Sequence, residues 1–210
     1  MRLRPLTRSF FSRDPRRVAR ELLGKLLIRN RGRKVLAGRI VEVEAYLGVS
    51  DPAAHAAAGM TPRNRVLFGP PGHAYVYFIY GQYFCLNVSC QPEGEAGGVL
   101  FRALEPLAGL REMARARGLP QAAQQHLESS VAAKRKLAAG PGRLCQAMGI
   151  TRAHDNGKDL TSPRSGLWLA DDGFRPRRIL RTPRIGIKKA VKEKLRYIIA
   201  DNHCISARKR

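Results

Sequence analysis

Apolar residues recur three and four positions apart at Val18, Ala19, Leu22 and Leu23, the spacing of one buried helix face. Asp14 supplies an N-cap oxygen ahead of them, Pro15 suits the first helical position, and Gly24 is a natural stop. The period then changes from helix to strand. Residues 25–29 read as a short strand, and 34–47 alternate every second residue. Val35, Ala37, Val41, Val43 and Ala45 are expected on one face of that strand, with Ile40, Glu42, Glu44 and Tyr46 on the other.

Residues 48–71 are loop-rich. The tyrosine-rich stretch 74–89 is interrupted only at Gly81, which predicts two strands joined as a protruding hairpin with Tyr80-Gly81-Gln82-Tyr83 at its tip. Residues 99–104 form another apolar strand, and 106–117 carry Leu107, Leu110 and Met113 at helical spacing. The Ala/Gln/Ser/Lys-rich stretch 119–140 is expected to be a mobile insertion. Gly140-Pro141-Gly142 opens a short helix ending near Met148. Residues 167–169, 184–187 and 195–199 are further strands, and Asp171-Asp172-Gly173 is a turn. There is no repeat and no regular βαβ rhythm. The expected fold is therefore α+β: a single domain over 1–210 with a curved, mostly antiparallel β-sheet flanked by helices.

Charge changes this picture. The chain of 210 residues carries a formal net charge of +23. Residues 1–34 hold 12 Lys/Arg against 2 acids, and 174–210 hold 13 against 2, so the middle is nearly neutral at 14 against 12. If both ends fold onto one face they make a basic platform suited to a phosphate backbone. The leucines at 22, 23, 26 and 27 argue that the first stretch folds, although its Arg-rich, acid-poor start faintly resembles a transit peptide without a secretory apolar segment. Cys85, Cys90, Cys145 and Cys204 form no C-x-x-C pair, and the five histidines are scattered. Buried free thiols are expected, with no metal and no cofactor. No apolar run approaches a membrane span.

Glu44 and Tyr46, two residues apart on one strand face, sit about 7 Å from each other. A carboxylate beside an aromatic suits a pocket that stacks a planar group and activates water at its edge, and Glu42 competes for that role. Arg102 in the apolar run 98–104 needs an anionic partner, either Glu42 or Glu44 or a phosphate. Tyr75 is expected to be core, whereas Tyr80 at a hairpin tip has no packing reason to be there. Two loops resemble phosphate clamps: Thr61-Pro62-Arg63-Asn64-Arg65, and Gly140-Pro141-Gly142-Arg143.

In order, the segments RVARELLGKLL, RIVEVEAYLG, TPRNR, YVYFIYGQYFCLNVS, FRALEPL, GPGRLCQAMGI and RIGI resemble the alkyladenine (3-methyladenine) DNA glycosylase family from about Leu6 to near the C-terminus. The resemblance implies a monofunctional enzyme, without β-lyase activity, that flips alkylated or deaminated purines from double-stranded DNA. The 3-methyladenine, 7-methylguanine, hypoxanthine and ethenoadenine class would lose its base to water, leaving an abasic site. It assigns the general base to Glu44, with Arg102 and the carbonyl of Ile205 holding the water. It places Tyr46, His55, Tyr77 and Asn87 around the extruded base, and Tyr80 in the vacated stack with Gln82 and Tyr83 beside it. Thr61, Arg63, Arg65 and Arg143 become backbone contacts. Gln82 stands where the human-type members carry methionine, and residues 201–206 lack the aromatic often found before the final apolar residue. The basic tail Arg208-Lys209-Arg210 has no role in that scheme. A monomer is expected, nucleoid-associated in a bacterial cytoplasm or nuclear in a eukaryote.

Two other classes fit the charge. A basic RNA- or ribosome-binding module needs no carboxylate beside a tyrosine pocket and leaves the YGQY tip without a purpose. A damage-recognition protein that flips bases without cutting shares every feature except catalysis.

Overall fold

A computed structural model describes residues 3–124 and 126–206, so the basic tail at 208–210 lies outside the described residues. Its strands are β1 (Arg4–Pro5), β2 (Leu26–Arg31), β3 (Lys34–Tyr46), β4 (Ala74–Ile79), β5 (Tyr83–Ser89), β6 (Gly98–Ala108), β7 (Leu167–Asp171), β8 (Ile179–Thr182) and β9 (Arg196–Ile199). All the paired strands run antiparallel in one sheet of order β1-β7-β2-β3-β6-β5-β4, with β9 on β3 and β8 on β9. The helices are α1 (Arg8–Phe11), α2 (Pro15–Leu22), α3 (Leu110–Ala116), α4 (Gln121–Gln124), α5 (Val131–Ala138), α6 (Pro141–Met148) and α7 (Arg152–Asp155). The α+β class stands.

Local signals explain several elements. Asp14 caps α2 by accepting from the Arg16 N–H at 2.7 Å, and Val18, Ala19 and Leu22 turn into the core. The strand β3 is the organiser. One of its edges pairs with β6, and the other is shared: β2 lies along residues 34–39 and β9 along 42–44. The register slips around Ile40–Val43 where one neighbour hands over to the next.

That bulge corrects the simple alternation. Leu36, Ile40, Val41, Val43 and Ala45 all enter the main core, while Val35 is 50% exposed and Ala37 packs against a separate small cluster with Trp168. The extra residue lets consecutive Ile40 and Val41 both point inward. Beyond it, Glu42, Glu44 and Tyr46 share the opposite face without Ile40.

Two further boundaries differ from the sequence pattern. The stretch 106–108 continues β6, because Ala108 still pairs with Ala37, and the helix begins only after Gly109, which turns at φ +74°. Residues 184–187 are not a strand. The ladder partner of β9 is β8, which ends at Thr182, just before Pro183, whose ring nitrogen has no N–H to continue the ladder. The excursion at 119–140 contains α4 and α5, and Leu127, Leu137 and Ala138 are buried. All four cysteines are free and buried. No helix among the described residues is long and apolar enough to cross a membrane.

Candidate active site

A cavity of about 530 Å³ opens between β3, the loop after it, β4, β5 and the segment 185–189. Four tyrosines and a histidine stand among small and aliphatic residues in its wall. Tyr46, His55, Tyr75, Tyr77 and Asn87 line it, and Arg102 reaches its floor. The Tyr75 and Tyr77 rings stack with centroids 5.5 Å apart, and His55 meets Tyr77 edge-on at 4.5 Å. His55 Nδ1 also lies 2.9 Å from the Tyr75 hydroxyl. Burial, then the nearby Arg63 charge, lowers the His55 pKa, so the ring is neutral at physiological pH. Tyr75 is fully buried as expected of a core residue, yet its hydroxyl end belongs to this wall.

Asn87 is 6% exposed, and its Nδ2 has no hydrogen-bond partner among the described residues. An unpaired buried amide is costly unless something else satisfies it. Since Asn87 lines the cavity, that donor is available to a ligand.

Beneath the cavity lies a buried ion cluster. Glu42 Oε1 accepts from Arg102 Nε at 2.9 Å, Arg196 Nε at 2.7 Å and the Ser206 hydroxyl at 2.7 Å. Its Oε2 accepts from the Ser206 N–H at 2.5 Å. Burial opposes the Glu42 charge, but Arg102, Arg196 and Ser206 together outweigh it and hold the carboxyl below its ordinary value. Glu44 differs. Its Oε1 accepts from the Ile185 N–H at 2.8 Å and meets Arg102 Nη1 at 3.1 Å, and its Oε2 accepts from the Tyr46 hydroxyl at 3.0 Å. Burial pushes its pKa up, and Arg102, Ile185 and Tyr46 offset that only in part. Arg102 thus satisfies its buried charge with both acids, and Tyr46 and Arg102 connect Glu44 to the cavity.

The other sequence candidates fall in four places. Tyr80 borders the cavity from the tight β4–β5 turn, where it is 82% exposed with φ +51°, while the Gln82 N–H closes onto the Ile79 carbonyl at 3.2 Å. Gln82 is exposed beside it, and the Tyr83 ring lies against Gly142, where an added Cβ would come within 2.9 Å. Thr61, Arg63 and Arg65 are exposed on a loop that Asn64 holds, donating through Nδ2 to the His55 and Gly59 carbonyls. Arg143 borders a second, basic cavity with Arg135 and Lys136. Ile205 is buried in the core rather than along the cavity, and its neighbour Ser206 is the residue that binds Glu42.

Sequence reasoning missed Asp51, Arg184, Ile185 and Arg196. Only the run RIGI hinted at the second and third, and nothing local marks a partner more than 130 residues away.

A buried carboxylate beside a cavity with several aromatic side chains, in a strongly basic α+β domain, is a site that a DNA glycosylase could use. The chain belongs to the methylpurine-DNA glycosylase (MPG) family, whose model matches residues 9–203. It is 58% identical over 207 residues to a protein of Koribacter versatilis named "Putative 3-methyladenine DNA glycosylase", covering 99% of this chain and 95% of that one. Proteins of the same name from Burkholderia cenocepacia and Methanocella arvoryzae are 48% and 45% identical. They cover 95% and 97% of this chain, and 89% and 96% of their own lengths.

Proposed function

We propose that this DNA glycosylase extrudes an alkylated or deaminated purine nucleotide from duplex DNA into the aromatic cavity and hydrolyses its N-glycosidic bond. The carrying observation is Glu44, fully buried and raised in pKa, joined to the cavity by Tyr46 and Arg102. Oε2, engaged by the Tyr46 hydroxyl alone, keeps a lone pair for a water. That water's oxygen bonds to C1′ while its proton passes to Glu44, and the C1′–N9 electron pair leaves with the base. The sugar gains a hydroxyl and becomes an abasic site. The transition state has oxocarbenium character, so the carboxylate also stabilises the developing positive charge.

The wall sorts bases. A 3-alkylated purine is cationic in the nucleotide and leaves neutral, while hypoxanthine needs hydrogen bonds as it departs. Tyr77 and His55 offer stacking surface to either. The unpartnered Nδ2 of Asn87 points a donor at the base edge, which disfavours the exocyclic amino group of normal guanine. Tyr80, exposed at the turn, fills the vacated stack, and the flanking arginines hold phosphates.

Glu44→Gln tests this directly. Single-turnover release of free base from lesion duplexes should fall by about 10³-fold, with lesion-duplex binding retained. Excision at the wild-type rate would remove Glu44 from the mechanism.

A further inference from the structure

Asp51 and Arg184 form a fully buried ion pair behind the wall of the same site, next in sequence to Pro52 and Ile185, which line it, and no step above uses them. Arg184 Nη1 meets Asp51 Oδ2 at 2.5 Å and Nη2 meets Oδ1 at 2.9 Å, a two-pronged contact. The same Nη1 donates to the Ala45 carbonyl at 3.1 Å, and the guanidinium carbon lies 4.7 Å from the Tyr46 ring centroid. Asp51 in turn accepts from the N–H groups of Leu47 and Ala53, so it ties down the chain just beyond β3. The residue after Arg184 is Ile185, whose N–H binds Glu44, and Ile185 to Lys189 form one wall of the cavity.

We infer that Asp51 and Arg184 are a positioning pair that presses the 185–189 segment and the Tyr46 ring onto Glu44. Resting on the reading of Glu44 as the base, the pair orients that base without touching substrate. Both of Glu44's contacts outside Arg102 depend on it: Ile185 through the chain, and Tyr46 through the stacked guanidinium. A carboxylate held by an N–H donor and a hydroxyl is stabilised in its charged form, so loosening either raises its proton affinity. The charged and titratable groups around Glu44 are Arg102 from β6, Glu42 and Tyr46 from β3, Cys85 from β5, Arg196 from β9 and Arg184 itself. In Arg184 variants Arg102, Glu42, Cys85 and Arg196 keep their own contacts, so a change at Glu44 reports on Tyr46 and Ile185, the two contacts the pair holds.

The test is single-turnover excision from a lesion duplex across pH 5 to 9 with Arg184→Lys, Arg184→Met and Asp51→Asn, beside Glu44→Gln. The pair predicts a loss of 10-fold or more at neutral pH that shrinks as pH rises, because the rate's acid limb has moved upward. Arg184→Lys should recover part of the loss, and lesion-duplex affinity should stay within about two-fold. A deficit equal at every pH, or none, overturns the pair while leaving Glu44 as base. Should Arg184→Met not fold, Arg184→Lys and Asp51→Asn decide by the same criterion. Undiminished excision by Glu44→Gln would instead remove the reading on which the pair rests.

Discussion

Glu42 and Glu44 lie two residues apart on one face of β3, both without solvent exposure, yet their proton affinities shift in opposite directions. Around Glu42, two guanidiniums and both donors of Ser206 saturate the carboxylate and keep it ionised. Around Glu44, burial outweighs one shared guanidinium, one N–H and one hydroxyl, and the carboxyl's pKa rises. The more fully compensated acid, with four donors on it, holds β3, β6, β9 and the segment at Ser206 together. The under-compensated one, next to the cavity, is suited to take a proton. Chemistry is assigned here by how completely each acid is satisfied, since residue type and depth are the same.

Exchanging the roles by mutation should break that contrast most visibly. Glu44→Gln should silence excision but leave stability within about 1 kcal/mol of wild type or above it, because an acid whose charge is poorly compensated loses little on neutralisation. Glu42→Gln should cost about 3–5 kcal/mol, since it strands Arg196 and half of Arg102 in the interior. Paired thermal and urea unfolding curves would show it. A tolerated Glu42→Gln with an unfolded Glu44→Gln would reverse the comparison.

Acid titration sharpens the same difference. Glu42 has a folded pKa below its ordinary value of 4.5, so its stabilisation is present above that value and lost as pH falls through the lower folded one. Glu44 has a folded pKa above 4.5, so it penalises folding as pH rises through that range and the penalty persists at neutral pH. The stability gap between Glu42→Gln and wild type should therefore narrow on acidification below pH 4.5. Excision should fall on the acid side as Glu44 protonates, and a rate flat from pH 5 to 8 would contradict its role as base.

The smallest effect contrasts the buried floor with the exposed tip. Tyr80 and Gly81 both have positive φ, at +51° and +65°, a backbone that tyrosine adopts only under strain. Tyr80→Asn should stabilise the protein by about 0.5–1 kcal/mol while weakening capture of lesion duplexes more than intact ones. Equal weakening on both duplexes would deny the ring a place in the stack. Affinity for either duplex should fall steeply with added salt if the basic surface meets several phosphates.

The chain's local chemistry was enough for the capped helix α2, the tight turn at Tyr80-Gly81 and the shared face of Glu44 and Tyr46. Each depends on neighbours a few residues apart. The resemblance carried by EAYLG, TPRNR and YGQYFCLN extended this to the family. Tertiary structure alone decided that a bulge at Ile40–Val41 turns both residues inward, that Pro183 ends β8 and leaves 184–189 free to wall the cavity, and that Asp51 meets Arg184. The reason is physical: satisfying a buried charge depends on partners 60 to 164 residues away, and only the folding of the antiparallel sheet brings them within hydrogen-bond reach.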